Sequence, residues 1–411
     1  MVQNLFTKNF TLLVLGQVSS LFGNIILRFA MSMYVLDVTG SATIFAGILS
    51  IATIPTIILS PLGGILADRA NRRNIMVALD TLSGISVLCA ALLFSTSNDI
   101  VIISGLLIML SILGAFETPT VQACVPQMQT GNNIIKGNAV INQIAAISTL
   151  VAPIIGSILY VAFGLKLIMY ASIACFFITS LFECFIKLDY TPLENNEGII
   201  SIVKNDLVVS MRFIFKEQPG ILKMLLLAAL SRFFMMGTAM VGLPFIVRTI
   251  LGLNAKYYGA AESVLAVATI IGSIAAGLLT GKLKTRKLST ILAAFGVCLI
   301  PAGLIFLFPT SAIVKYTVNV ISFCGVQIAV TIFSIFAVSF IQQKTPNHLI
   351  GKVMAYTATI TMCVQPLGQI IYGFLFDSFS NAAYLVIIPT GIIVCIIGVL
   401  SKGFFKNLEK E

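Results

Sequence analysis

The sequence predicts an all-α membrane protein with twelve transmembrane helices in two pseudo-symmetric six-helix bundles. Three observations carry this. Hydrophobic residues fill 58% of the 411 positions and charged residues only 10%, a balance no ordinary soluble domain shows. The apolar residues fall into runs of about 20 or more, long enough to cross a bilayer. Short patterns in the first half also return in the second at a nearly constant spacing, as expected of a duplicated bundle.

Between polar breaks the runs cover 10–36, 42–66, 74–95, 100–122, 138–162, 166–187, 220–250, 257–281, 288–308, 312–341, 351–376 and 382–405. The first is too long for the apolar core of a signal peptide. It lacks a basic leader and a small-residue cleavage site, so it reads as a retained helix.

The formal charge of +10 raises the question of a nucleic-acid partner, and the position of the charges answers it. With the N-terminus placed in the cytoplasm, nineteen of the 25 Lys and Arg fall on the inner side, among them Lys8, Arg69, Lys136, Lys204, Arg286 and Lys402. Only Lys166, Arg248, Lys256 and Lys315 fall outside, and Arg28 and Arg232 lie within spans. This is a positive-inside pattern with both termini cytoplasmic. The basic balance reports orientation in a lipid bilayer and calls for no nucleic acid.

The eight cysteines lie in or at the ends of apolar runs with no C-x-x-C pair. They read as free thiols packed as small apolar residues. No disulfide, metal site or cofactor is expected. His348, the one histidine, reads as a solvated loop residue.

Residues 188–219 form the longest polar break and divide the chain into an N-terminal bundle, 1–187, and a C-terminal bundle, 220–411. Within the break Ile199, Val203, Leu207, Met211 and Phe215 recur every four residues. That spacing suits an amphipathic helix on the cytoplasmic membrane surface, acting as a tether or as a regulatory element. Across the two halves, Gly64 to Arg69 is echoed by Gly277 to Lys282, Arg73 by Arg286 and Pro153 by Pro366, all at an offset of 213.

Gly64, Asp68, Arg69, Arg72 and Arg73 sit in the tight gap between the second and third runs. So many charges hold a short connection at the membrane surface. The stretch resembles the loop signature of the major facilitator superfamily, G-x-L-a-D-r-x-g-r-r, with Asn71 where the family often has glycine. That resemblance implies a cytoplasmic gate. Asp68 would face the free N–H groups at the start of the eleventh helix, near Gly351 and Lys352, and Gly64 would allow close helix approach. The alternative is a topogenic anchor that only fixes orientation.

In the fifth run, Ser148 to Ser157 resembles the superfamily's proton-antiporter motif, g-x-x-x-G-P-x-x-G-G. Pro153 and Gly156 are intact, and Ser148, Ala152 and Ser157 replace glycines. A mid-span proline kinks the helix and small neighbours allow tight contact between bundles. Plain packing is the competing reading of this segment.

Ionisable residues inside spans are costly and are functional candidates by default. Arg28 lies in the first span, Glu117 in the fourth and Arg232 in the seventh. The family resemblance makes these helices cavity-lining, so the three would face one aqueous chamber. Glu117, beside Thr118 and Pro119, is the best carboxylate for proton coupling; a permanent Glu–Arg pair holding helices together is the alternative. Asp80 is a further candidate for coupling or an interfacial residue. Glu183, a turn from Lys187, reads as interfacial, and Glu262 is a weaker candidate near an outer helix end. The fourth span lacks the arginine of the l-x-x-x-R-x-x-q-G motif found in the main drug:proton antiporter groups.

A closer resemblance covers nearly the whole chain. Gly16-Gln17 through Gly23, Val35 through Ala42, Asn138-Ala139 and Arg212-Phe213-Ile214 are similar to the macrolide-efflux and enterobactin-exporter branch of the superfamily. This implies a secondary exporter of lipophilic or amphiphilic small molecules, exchanging them for protons as a monomer in a bacterial plasma membrane. A lipid, lysolipid or siderophore transporter of the same fold is the alternative. A non-transporting membrane scaffold or sensor is the rival from another class, and it would have no need of the gate motif. No nucleotide loop is present: Gly277 to Lys282 is one residue short of a phosphate loop, and Leu283 replaces its Ser/Thr. The chain is not expected to be an enzyme.

Overall fold

The structure is a computed structural model that describes residues 5–94, 98–188, 211, 213–214, 218–279, 287–346 and 349–408. Most of the proposed amphipathic helix of the 188–219 break lies outside the described residues, as does His348.

The first four helices are α1 (Lys8–Thr39), α2 (Ala42–Arg69), α3 (Arg72–Leu93) and α4 (Asp99–Met128). A continuous segment, Asn132–Cys184, follows. At 1.5 Å per residue it would extend about 80 Å, far beyond an apolar core of about 30 Å. Gly164 breaks it, with φ 71° and ψ −179°, a backbone conformation that glycine adopts without steric cost. The break yields α5 (132–163) and α6 (165–184).

The remaining helices are α7 (Pro219–Ile250), α8 (Ala255–Leu279), α9 (Leu288–Leu304), α10 (Ala312–Lys344), α11 (Ile350–Ser378) and α12 (Tyr384–Leu408). Two stretches of α7, Met236–Gly242 and Ile246–Ile250, are wound as π-helix. Among the described residues eleven helical segments are long and apolar enough to cross a membrane, and the Gly164 break divides one of them to give twelve. Their outer faces carry large apolar side chains, with Leu400 75% exposed and Leu278 73%. Lipid is the solvent that such faces suit.

The helices form two compact units, 1–38 with 51–196, and 39–50 with 197–411. In the first, hydroxyl-to-carbonyl bonds pin α1 to α6. Ser19 Oγ donates to the Cys175 carbonyl (3.1 Å), Ser172 Oγ to Gly23 (3.0 Å) and Thr179 Oγ1 to Gly16 (3.1 Å). Thr81 Oγ1 and Ser180 Oγ, 2.8 Å apart, tie α3 to α6. One part of the core joins Phe10, Leu13, Met76, Val121, Val125 and Ile186. Pro119 removes the hydrogen bond that would have used the Ala115 carbonyl. The backbone of α2 closes on that carbonyl at Gly63, where a methyl would stand 2.5 Å from the oxygen.

In the second unit Tyr372 of α11 packs edge-on against Phe233 and Phe234 of α7. Its hydroxyl lies 2.7 Å from Thr390 Oγ1 on α12. The first turns of α2 belong to this unit. Ser50 Oγ donates to the Pro366 carbonyl and to Gln369 Oε1, both at 3.2 Å.

Candidate functional site

The α1–α6 and α3–α6 bonds bring a polar cluster together inside the first unit. Ser20 on α1 is at its centre. Its Oγ donates to Asp80 Oδ1 of α3 at 3.0 Å and lies 3.4 Å from Glu117 Oε1 of α4. Glu183 of α6 interacts electrostatically with Asp80. Arg28, two turns beyond Ser20 on α1, interacts electrostatically with Glu117. Its Nε donates to Asn24 Oδ1 (2.7 Å) and its Nη1 to Ser111 Oγ (3.1 Å).

The two ends of the cluster differ in access. Asp80 and Glu183 are each 1% exposed, as is Ser20, whereas Glu117 and Arg28 are only half-buried. Among the described residues Asp80 Oδ2 and Glu183 Oε2 find no donor. An ionised carboxylate only accepts hydrogen bonds, and a carboxylic acid both donates and accepts. A hydrogen bond between these two acids can form only when one of them carries a proton. Burying two unshared negative charges side by side would be far more costly. Three carboxyls, one hydroxyl and one guanidinium make a site suited to holding and passing protons.

Glu117, Arg28 and Asp80, singled out in the sequence, do come together. Arg232 belongs to the second unit, and its hydrogen bond runs to Gln365 Oε1 of α11 at 3.2 Å. Glu262 of α8, half-buried in the same unit, interacts with Tyr258 one turn earlier. Glu183 and Asp80 are buried within the unit, where the helix pinning turns both inward. Sequence reasoning missed Ser20 as the link; a serine on an apolar helix carries no signal of its own.

In the loop motif, Arg72 donates to the Ala67 carbonyl (2.8 Å) and the Ala123 carbonyl (3.0 Å), and Arg73 to the Cys184 carbonyl. Basic side chains thus bind carbonyls near the C-terminal ends of α2, α4 and α6, where they also favour the helix dipole. Asn71 caps α3, its side chain accepting from the Asn74 N–H. Arg69 is half-buried, and the Asp68 side chain lies outside the described residues. A methyl on Gly64 would meet no atom within 4 Å, whereas the neighbouring Gly63 is the glycine packed on α4. In the α5 motif, Ala152 and Pro153 are buried. A methyl on Gly156 would lie 3.3 Å from Phe29 Cδ1. These small residues seat α5 on α1 within the first unit.

Among the described residues no group of His, Cys, Asp and Glu is placed to hold a metal ion. The helices and the cluster describe a multi-pass membrane protein with a buried polar site in its first unit. The sequence profile of the Major Facilitator Superfamily matches residues 13–368, and the chain belongs to that superfamily. It is similar to macrolide efflux protein A of Streptococcus pyogenes, 23% identical over 388 residues, covering 93% of this chain and 92% of that protein. Macrolide efflux protein A of Enterococcus faecalis is 22% identical, covering 77% of this chain and 95% of that protein. Among solved structures, a mutant of the nucleoside transporter NupG aligns over 96% of this chain and 99% of that one, with TM-score 0.75 and 14% identity. A bacterial homologue of the iron transporter ferroportin in its inward-facing state aligns over 98% of both, with TM-score 0.73 and 16% identity.

Proposed function

We propose that this transporter exports lipophilic or amphiphilic small molecules, drug- or macrolide-like, and exchanges them for protons by alternating access. The observation that carries the reading is the Ser20 bridge. One hydroxyl reaches both Asp80 and Glu117, joining a half-buried residue to two buried acids. Glu117 takes the proton on the accessible side, and Arg28 holds it in place when it is ionised. The resemblance to macrolide efflux proteins supports export and the substrate class.

In this reading the chain is a monomer in a bacterial plasma membrane, with both termini cytoplasmic. Its halves, 1–187 and 220–411, are joined by the 188–219 linker. Asp68 acts as the cytoplasmic gate of the family motif, with Arg69, Arg72 and Arg73 anchoring the loop. Pro153 and Gly156 shape α5 for the exchange.

The test uses everted membrane vesicles carrying a pH gradient and a panel of macrolides, lipophilic dyes and lysolipids. Addition of a transported compound should dissipate the gradient faster than in vesicles lacking the protein. Compounds that accumulate without moving protons would rule out antiport, and a panel with no accumulation at all would rule out this substrate class.

A further inference from the structure

The two arginines inside the spans are treated differently by the fold. Arg28 is countered by Glu117 and bonded to Asn24 and Ser111. Arg232, near the middle of α7, has one hydrogen-bond partner among the described residues, the neutral Gln365, and no carboxylate interacts with it. The guanidinium is always charged and offers five N–H donors. One bond to an amide oxygen leaves most of them open.

Arg232 is exposed, yet it does not face lipid. Leu226 and Leu230, one turn apart, are 52% and 39% exposed and mark the outer face of α7. Arg232 lies about 160° around the helix from Leu230. Its neighbours on that side, Leu225, Ala229 and Met236, are buried at 1%, 5% and 7% exposure. An exposed cation on the inward face of a membrane helix lies in an aqueous chamber, because the apolar alternative is costly. The position is also fixed. Gly368 of α11 lies so close to α7 that a methyl there would stand 2.4 Å from the Phe233 oxygen. Gln365, one turn before Gly368, is thereby held against Arg232.

We infer that Arg232 and Gln365 form an anion-accepting subsite that takes the acidic head group, carboxylate or phosphate, of an amphiphilic substrate. The guanidinium fork matches the paired oxygens of either group, and the Gln365 amide adds N–H donors. The adjoining Phe233 supplies apolar surface for the rest of the molecule. This inference rests on the transporter reading above and, among amphiphilic substrates, favours acidic head groups over basic ones such as the amino sugar of a macrolide.

Equilibrium binding to the purified full chain in neutral detergent at pH 7.5 tests it, with no pH gradient present. Four fluorescent undecyl probes differ only in the head: carboxylic acid, phosphate monoester, methyl ester and primary amine. The acid or the phosphate should bind at least about tenfold tighter than the ester, about 1.4 kcal/mol, with the amine weakest. The relative affinities of acid and phosphate identify the preferred head. Arg232→Gln should bring the acid-to-ester ratio to about one, and Arg232→Lys should retain part of it. Gln365→Glu places a carboxylate beside an intact Arg232 and should abolish the preference in the same way. Equal binding of acid and ester by the unaltered protein, or an undiminished preference in Arg232→Gln, would overturn the subsite and leave the exporter reading standing. Binding of none of the four probes would overturn the subsite, and the exporter reading is decided separately by accumulation in vesicles. Loss of proton coupling in vesicles would leave the acid preference untouched.

Discussion

Ser20 Oγ donates to Asp80 Oδ1 at 3.0 Å while standing 3.4 Å from Glu117 Oε1. A hydroxyl has one proton and can donate to one carboxyl at a time. It can also accept from a protonated carboxyl. Ser20 is therefore the only direct hydrogen-bonded link between Asp80 and Glu117 among the described residues, and the cluster depends on it for continuity. Ser20→Ala should leave the fold intact at a cost of about 1 kcal/mol. It should slow proton-driven transport more than it weakens substrate binding. Paired measurements of pH-driven uptake and equilibrium binding check this; equal effects on both would remove Ser20 from the relay.

The Asp80–Glu183 pair makes a separate prediction about stability. Glu183→Gln supplies a permanent N–H donor to Asp80, so the purified protein should unfold at the wild-type temperature or above. Glu183→Ala leaves Asp80 buried with an unmet oxygen, a loss of about 1–3 kcal/mol. Thermal unfolding in detergent should separate the two variants, with Ala lower. Equal melting would mean that the two acids do not share a bond.

Asp377, at the end of α11, caps the start of α2. It accepts from Ser41 Oγ at 2.6 Å and from the N–H groups of Ala42 at 2.7 Å and Thr43 at 2.9 Å. A carboxylate there satisfies donors that a helix start leaves free and meets its positive dipole end. Asp377→Ala should weaken this end of α2 by about 0.5–2 kcal/mol. Hydrogen exchange at the amides of Ala42 and Thr43 should then quicken by up to about thirtyfold. Unchanged exchange would show that the α2 start is held by Ser50 and its own helix alone.

Orientation is tested by single cysteines in a background without the eight native thiols. With both termini inside, cysteine at Lys402 should react with an impermeant thiol reagent only in everted vesicles. Cysteine at Thr310 should react in intact cells. The nineteen-to-four distribution of basic residues motivates this, and the opposite labelling pattern would invert the topology.

Much of the fold was legible because lipid imposes a simple rule: long apolar runs with charges between them. The runs at 138–162 and 166–187 even bracket Gly164, although the backbone continues helically on both sides of it. Arg28, Glu117 and Arg232 stood out because charge inside a span is costly. The contacts among such residues were not legible. Glu183 looked interfacial from its spacing to Lys187, and only the packing of α6 on α1 and α3 turns it toward Asp80. Asp377 gave no local signal, since Ser41, whose hydroxyl it accepts from, is 336 positions away. Gly63 and Gly64 were indistinguishable by sequence. The difference comes from the carbonyl that Pro119 frees on α4.

The central claim is that Glu117 carries the exchanged proton, and Glu117→Gln in proteoliposomes tests it most directly. The amide keeps the shape and removes the proton-binding charge. With an acidic lumen, wild-type protein should concentrate a transported substrate inside while the lumen becomes less acidic. Glu117→Gln should lose at least about tenfold of that accumulation, about 1.4 kcal/mol of driving force, while still equilibrating substrate down its gradient. Full pH-driven accumulation by Glu117→Gln, with proton movement unchanged, would contradict the account and return Glu117 and Arg28 to a structural pair.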